Sequence, residues 1–390
     1  MNQQTSIAVI GCGYWGAKHV RVFHELPTVR LAMVADLDEA RRAHIERTYP
    51  DVPTTADYHA VLRDRAIQGV VIATPVSTHY RLAREALLAG KDVLVEKPLT
   101  NDAEQARELC LLADQLGRVL MVGHTFMYHP AVEYVKTLVD TGALGTVYYA
   151  DAARLNLGLF QPDTDVIWDL APHDLSILLY VLGAAPESIR ARGVSHVGAR
   201  SQIDVAFLDL MFPGSMLSNI RVSWLDPCKV RRVTVVGSEK MVVFNDVAGE
   251  EKVRLYDRGV SLPHQTDDFG DFHLSYRHGD VTIPHLDTSE PLKTECAHFA
   301  ECIRARRTPR SDGWSGYQVV QLLEAAHVSL AHDGASVACA PPQPIPVGAA
   351  GAVNGNGARD MRLRPEPQPG GLALRVVVPK DDVLADTGAE

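Results

Sequence analysis

Short, wholly apolar runs punctuate the first part of the chain at residues 7–10, 31–35, 70–73, 93–95 and 119–122. Runs without alternation are the pattern of strands covered on both faces. Helical patterns lie between them. In residues 78–89, Leu82, Ala86 and Leu87 fall on one side, and Gly90 stands where a helix C-cap belongs. Strand and helix in alternation predict a doubly wound parallel sheet, so the fold class is α/β. From about 147 to 257 the pattern changes to longer alternating runs at 204–212, 216–224 and 230–236, separated by Pro213-Gly214 and Gly237-Ser238. That pattern predicts a large, mostly antiparallel sheet in an α+β arrangement. One helix, about 172–182, interrupts it, and a long helical stretch, about 291–331, follows. Beyond Pro341 the chain turns to Pro, Gly, Ala and Asn, including Gly-Ala-Val-Asn-Gly-Asn-Gly at 351–357. Such a segment buries too little apolar surface to offset its ordering entropy. Residues 372–378 are the exception, apolar enough for a strand or docking motif. The expected organisation is a first domain over 1–124, a second α/β domain over 125–335, and a disordered tail over 336–390.

The first strand pattern runs into Gly11-Cys-Gly13-Tyr14-Trp15-Gly16, a G-x-G-x-x-G sequence opening a helix. Its glycines suit a tight turn, close approach of backbone to a pyrophosphate, and close helix–strand packing; the helix N-terminus then offers free N–H groups. The motif alone is weak, but Asp36 ends the second strand pattern twenty residues beyond Gly16. A carboxylate there accepts from the adenosine ribose hydroxyls and repels a 2′-phosphate. The first domain is therefore read as a Rossmann domain holding NAD, with Arg41 and Arg42 keeping NADP open.

The 390 residues carry a net charge of −10, with 46% hydrophobic and 22% charged residues, a globular balance. With no compensating basic stripe, a nucleic-acid partner is excluded; Arg304, Arg306, Arg307 and Arg310 read as one solvated helix end. The six cysteines form no C-x-x-C pair and read as free thiols of a reducing compartment, and Cys296 with His298 lacks partners for a metal site. There is neither a secretory pattern nor an apolar run of membrane-spanning length, so a cytoplasmic location without membrane contact is expected.

Further segments carry chemistry. Ala73-Thr74-Pro75 with His79 follows the third strand pattern, Glu96-Lys97-Pro98 ends the next, and Trp168-Asp169-Leu-Ala-Pro-His173-Asp174 comes much later. Open α/β sheets bind ligands at strand C-termini, so Thr74, Pro75, His79, Glu96 and Lys97 should gather with Gly11, Gly13, Tyr14, Trp15 and Gly16 at one crevice. Lys97 is restrained by the following proline and can donate to an alkoxide-like oxygen. Asp169 and His173 stand four residues apart, on one face of a helix start at Pro172, and histidine exchanges protons near neutrality. As a set, these motifs resemble the glucose–fructose oxidoreductase / inositol dehydrogenase / MocA family over roughly residues 5–335. The resemblance implies that His173 is the general base, that Asp169 orients it or binds a sugar hydroxyl, and that Lys97 holds the reacting oxygen.

Residues 123–130 (Gly-His-Thr-Phe-Met-Tyr-His-Pro), Arg154, Asn156 and the Trp168–Asp174 segment resemble the branch acting on nucleotide-activated sugars. That resemblance implies oxidation of the C3 hydroxyl of UDP-N-acetylglucosamine or its uronic acid. Arg154 is a candidate for a diphosphate or carboxylate and Asn156 for sugar hydroxyls. Many sugar-oxidising relatives carry an arginine where this chain has Tyr128 and His129. Alternatives are a 3-ketoreductase of a dTDP-keto sugar, a dehydrogenase of a free sugar or inositol, and a non-catalytic dinucleotide sensor. Retention of Lys97, Asp169 and His173 argues against the sensor. An amphipathic sheet with one uncovered face implies a homodimer or homotetramer.

Overall fold

The computed structural model describes residues 4–158, 160, 164–197, 202–261, 275–339 and 376–377. The first part runs β1 (Thr5–Ile10), α1 (Tyr14–Glu25), β2 (Val29–Ala35), α2 (Glu39–Thr48), β3 (Thr54–Thr55), α3 (Tyr58–Arg63), β4 (Gly69–Ile72), α4 (His79–Leu88), β5 (Asp92–Glu96), α5 (Ala103–Leu116) and β6 (Leu120–Gly123). Its strands form one parallel sheet in the order β3-β2-β1-β4-β5-β6, so the order reverses beside β1 and opens a crevice at the strand C-termini. Alternate β1 residues face opposite sides. Ile7 and Val9 pack with Val20 and Phe23 of α1, whereas Ala8 and Ile10 join Leu82 and Ala86 of α4 and Leu109 of α5. Each of the five short apolar runs of this part forms a strand; the short β3 escaped notice because it is two threonines.

The second part runs α6 (Pro130–Asp140), β7 (Val147–Leu157), α7 (Val166–Leu182), β8 (Ser188–Val194), β9 (Val205–Phe212), β10 (Met216–Ser223), β11 (Leu225–Gly237), β12 (Met241–Asn245), β13 (Val253–Ser261), β14 (Ser275–Thr282), α8 (Pro291–Ala305), α9 (Gly313–Ala331), β15 (Ser336–Ala338) and β16 (Val376–Val377). Its sheet has the order β14-β13-β12-β11-β7-β10-β9-β8-β15-β16. Only the β7–β10 pair is parallel among them. On one face Ala206, Leu208, Leu210 and Phe212 are buried under α7 and α9. On the other, Tyr149, Leu217 and Met211 form one cross-strand row and remain 47%, 45% and 37% exposed. The open amphipathic face expected from the alternating runs is therefore present.

Several boundaries differ from the sequence reading. The helix expected from Pro172 begins at Val166, because Asp165 caps it by accepting from the Ile167 and Trp168 amides. Pro172 lies inside it, not in its first turn. The stretch 291–331 is two helices: Arg306 adopts φ 50° and Asp312 caps a new start through the Ser315 amide. Within the expected second domain, α8 packs on the first sheet, its Cys296, Phe299 and Ile303 sharing a core with Ile7 and Val9. Most of the expected tail lies outside the described residues; Val376 and Val377, inside the candidate strand at 372–378, pair with Val337 and Ser336.

Candidate active site

At the end of β1 the chain turns through Gly11 at φ +89°, where a Cβ would lie 2.6 Å from the Ala73 carbonyl oxygen. At Gly16 a Cβ would lie 1.9 Å from the Gly11 oxygen, so helix and turn meet only without a side chain. At Gly13 a Cβ would meet only Arg41 Nη1, at 3.7 Å, which leaves this backbone open to a ligand. Helix α1 has no side-chain cap and no acidic residue in its first turn, whereas α2, α5, α7 and α9 are each capped by an aspartate. Free N–H groups with a positive dipole end suit a pyrophosphate. Asp36 stands alongside: its Oδ2 accepts from the Cys12 amide at 2.5 Å and its Oδ1 from the Asp38 amide at 2.8 Å. Arg41 Nη1 is 3.7 Å from Asp36 Oδ2, and Arg42 donates to the Asp36 and Leu37 carbonyls. The residues present thus fit a dinucleotide.

The ends of β5 and α7 bring the reactive side chains together. The Lys97–Pro98 peptide is cis. Lys97 Nζ donates to the Asp169 carbonyl oxygen at 2.7 Å and stands 3.6 Å from Asp169 Oδ1. The buried Trp224 indole donates to Asp169 Oδ2 at 3.1 Å. Asp169 therefore orients Lys97, and among the described residues no side-chain hydrogen bond or ion pair joins it to His173. One turn later His173 packs edge-on against Phe126, at 5.3 Å between ring centroids, and its Nδ1 has no hydrogen-bond partner. Burial pushes the His173 pKa well down, and the charges of Lys97 and Arg154 push it further, so the imidazole is neutral and able to accept a proton. The following residue, Asp174, takes both Nε and Nη2 of Arg154 at 2.9 Å in a buried bidentate pair.

Behind Lys97 lies a buried polar cluster. Glu96 Oε1 is 2.7 Å from His19 Nε2, and His19 Nδ1 is 3.5 Å from Cys296 Sγ. Burial raises the Glu96 carboxyl, but His19 and Lys97 outweigh it and hold the group below the usual range. Glu295 is raised well above that range by burial and by the charge of Glu96, and Thr125 donates to its Oε2. His124, fully enclosed, has neither ring nitrogen partnered, and burial takes it down to about 4.

A cleft of about 1100 Å³ joins these parts, lined by Tyr14, Trp15, Glu96, Lys97, Arg154 and His173 among others. Of the residues singled out in the sequence, Gly11, Gly13, Gly16, Asp36 and Thr74 surround the turn. His79 is buried, its Nδ1 and Nε2 each 2.9 Å from the carbonyls of Pro98 and Thr74, so it ties two strand-end loops together behind the cleft. Pro75 leads into the one-turn segment before α4, and Thr74 Oγ1 bonds Thr78 Oγ1. Asn156 lies farther along β7 and does not line the cleft. Sequence reasoning missed Phe126, His124, Glu295 and Arg231. The first two lie in the quoted 123–130 segment; Arg231 and Glu295 arrive through strand register and helix packing, which leave no local signal.

The family model described as the oxidoreductase family with an NAD-binding Rossmann fold matches residues 5–124, and the GFO/IDH/MocA C-terminal domain matches residues 132–243. A UDP-N-acetylglucosamine 3-dehydrogenase of Acidithiobacillus ferrooxidans is 29% identical over 80% of this chain and 93% of its own. A scyllo-inositol 2-dehydrogenase (NAD(+)) of Bacillus subtilis is 26% identical over 79% of this chain and 89% of its own. The solved structure of the Acidithiobacillus ferrooxidans enzyme superposes with a TM-score of 0.69 at 27% identity, covering 84% of this chain and 98% of that one.

Proposed function

The chain belongs to the Gfo/Idh/MocA oxidoreductase family and is a dehydrogenase of CH–OH groups, and from that premise we propose that it oxidises the C3 hydroxyl of a nucleotide-activated sugar, UDP-N-acetylglucosamine or its uronic acid, with NAD. The observation behind this reading is that Lys97 and the neutral His173 line one cleft with Tyr14 and Trp15 of the glycine motif, while Asp169 holds Lys97. Similarity over nearly the whole length of the UDP-N-acetylglucosamine 3-dehydrogenase supports the sugar, and Asp36, bonded to the Cys12 amide of the glycine turn, supports NAD. A dinucleotide held by the glycine turn, the uncapped start of α1 and Asp36 would supply the hydride acceptor. His173 takes the hydroxyl proton, which its depressed basicity leaves it free to do from the neutral form. Lys97, held by the Asp169 carbonyl, donates to the oxygen as it becomes a carbonyl. Asp169, fixed by Trp224, aims the lysine. Lys97→Met should lower kcat by about 10²–10³ while NAD binding persists. The open sheet face around Tyr149, Leu217 and Met211 supports a homodimer or homotetramer.

The inositol dehydrogenase relative favours a second reading, a free polyol as substrate. Mass spectrometry separates the two. The purified protein with NAD⁺ is incubated with UDP-N-acetylglucosamine, its uronic acid, dTDP-glucose and inositol. Loss of two hydrogens from a UDP sugar is the expected result. Loss from inositol alone sinks the nucleotide-sugar reading.

A further inference from the structure

We infer that Lys229 and Arg231 in the first half of β11, with Lys18 across the cleft on α1, form an anion subsite for the diphosphate of the activated sugar. The inference rests on the nucleotide-sugar reading and uses residues on which that reading does not depend. All three side chains line the same cleft as Lys97 and His173. Arg231 is the cross-strand neighbour of Arg154 in the β7–β11 register. Like charges directly opposite one another are destabilising unless each has a counter-charge. Arg154 has Asp174 to itself, in a bidentate pair at 2.9 Å. Arg231 has only a share of Asp246, at 3.4 Å, and the same carboxylate also serves His129 and Lys252, each at 3.5 Å. One carboxylate shared among three neighbours leaves Arg231 less fully paired than Arg154.

Lys229 is exposed and Lys18 lies over the Tyr14 and Trp15 rings, 4.1 and 4.6 Å from their centroids. Neither lysine is in an ion pair among the described residues. The charge of Arg231 is felt at both ends of this stretch. The Tyr14 hydroxyl is lowered first by Lys18 and further by Arg231 and Lys229, and His173 is lowered first by burial and then by Lys97, Arg154 and, less, Arg231. The cations thus share one cleft with the start of α1 and with His173. The pyrophosphate of the dinucleotide already has the uncapped N-terminus of α1 and the bare Gly13 backbone. A diphosphate on the far wall, contributed by the second sheet, belongs to the other ligand. A sugar whose C3 lies at Lys97 and His173 has its anomeric phosphate only a few bonds away, which matches a cation on the strand next to Arg154.

The test is calorimetric titration of NAD-loaded protein with UDP and with inorganic pyrophosphate, alongside NAD titration of the unloaded protein. Lys229→Ala, at an exposed position, and Arg231→Gln, which keeps a donor for Asp246, should each weaken UDP binding about tenfold, the loss of one charge-assisted contact. NAD affinity should stay within about twofold. Wild-type binding of UDP with no loss in either variant overturns the subsite and leaves the nucleotide-sugar reading standing. A loss of NAD affinity in place of UDP affinity overturns it as well, assigning the cations to the cofactor. A wild-type protein that binds neither UDP nor pyrophosphate, yet oxidises inositol, removes both the subsite and the reading beneath it.

Discussion

Asp174→Asn should be among the most damaging single substitutions outside the reacting groups. Asp174 and Arg154 are 1% and 4% exposed at their side chains, and two parallel N–H···O contacts of 2.9 Å join them. The arginine also lies over the Phe126 ring, 4.5 Å from its centroid. Removing the carboxylate charge leaves a buried guanidinium uncompensated, which costs about 3–5 kcal/mol, whereas replacing both partners by apolar residues of similar volume is often neutral or better. Arg154→Met should therefore lose a similar amount, and Arg154→Met/Asp174→Leu should recover most of it. Equilibrium urea unfolding of the three variants gives the comparison directly. The pair also bears on function, because it ties β7 to α7 at the residue after His173; Asp174→Asn should lower kcat as well as stability. Were Arg154 mainly a ligand for substrate, Arg154→Met would raise KM and leave stability within about 0.5 kcal/mol of wild type. That result, or a double variant no more stable than the worse single one, would refute the argument.

Other outcomes follow from the same geometry. His173→Asn should lower kcat/KM by about 10²–10⁴ with NAD binding intact. Because burial and neighbouring cations depress the His173 pKa, its neutral, proton-accepting form persists as pH falls through about 6.5, the ordinary histidine value. The acid limb of the kcat/KM profile should lie below that value; a limb at or above it contradicts the assignment. The same shift makes His173 a liability to stability below about 6.5, where the unfolded chain takes up a proton the folded one resists. Asp36→Ala removes the acceptor of the Cys12 and Asp38 amides, so NAD affinity should fall about tenfold while NADP, no longer repelled, loses less. Paired titrations with the two dinucleotides decide it. Leu217→Arg, on the open sheet face, should convert a dimer or tetramer to monomer in sedimentation, and a wild type already monomeric at micromolar concentration removes the interface.

Local sequence determined much of this protein. Short unbroken apolar runs such as Val93–Leu94–Val95, spaced between helical patterns, mark strands buried on both faces, and alternation through Val205–Phe212 marks one wet face and one dry face. Glycines at 11, 13 and 16, with Asp36 at the next strand end, announce a phosphate turn because the chemistry needs those residues at that spacing. Distances across the fold are another matter. Asp169 and His173 read as partners because one helical turn separates them, yet Asp169 is engaged by Lys97 and Trp224, residues far away in sequence. Arg154 read as a ligand for an anion because nothing near it in sequence signals that Asp174 takes two of its nitrogens. His79 read as a cofactor contact, and burial turned it into a tie between two loops. A strand pattern specifies which face a side chain occupies but not which strand lies beside it. The β7–β11 register that sets Arg231 against Arg154, and the packing of α8 that brings Glu295 behind Glu96, come from tertiary assembly, where shape and the burial of charge decide between arrangements the local pattern leaves equivalent.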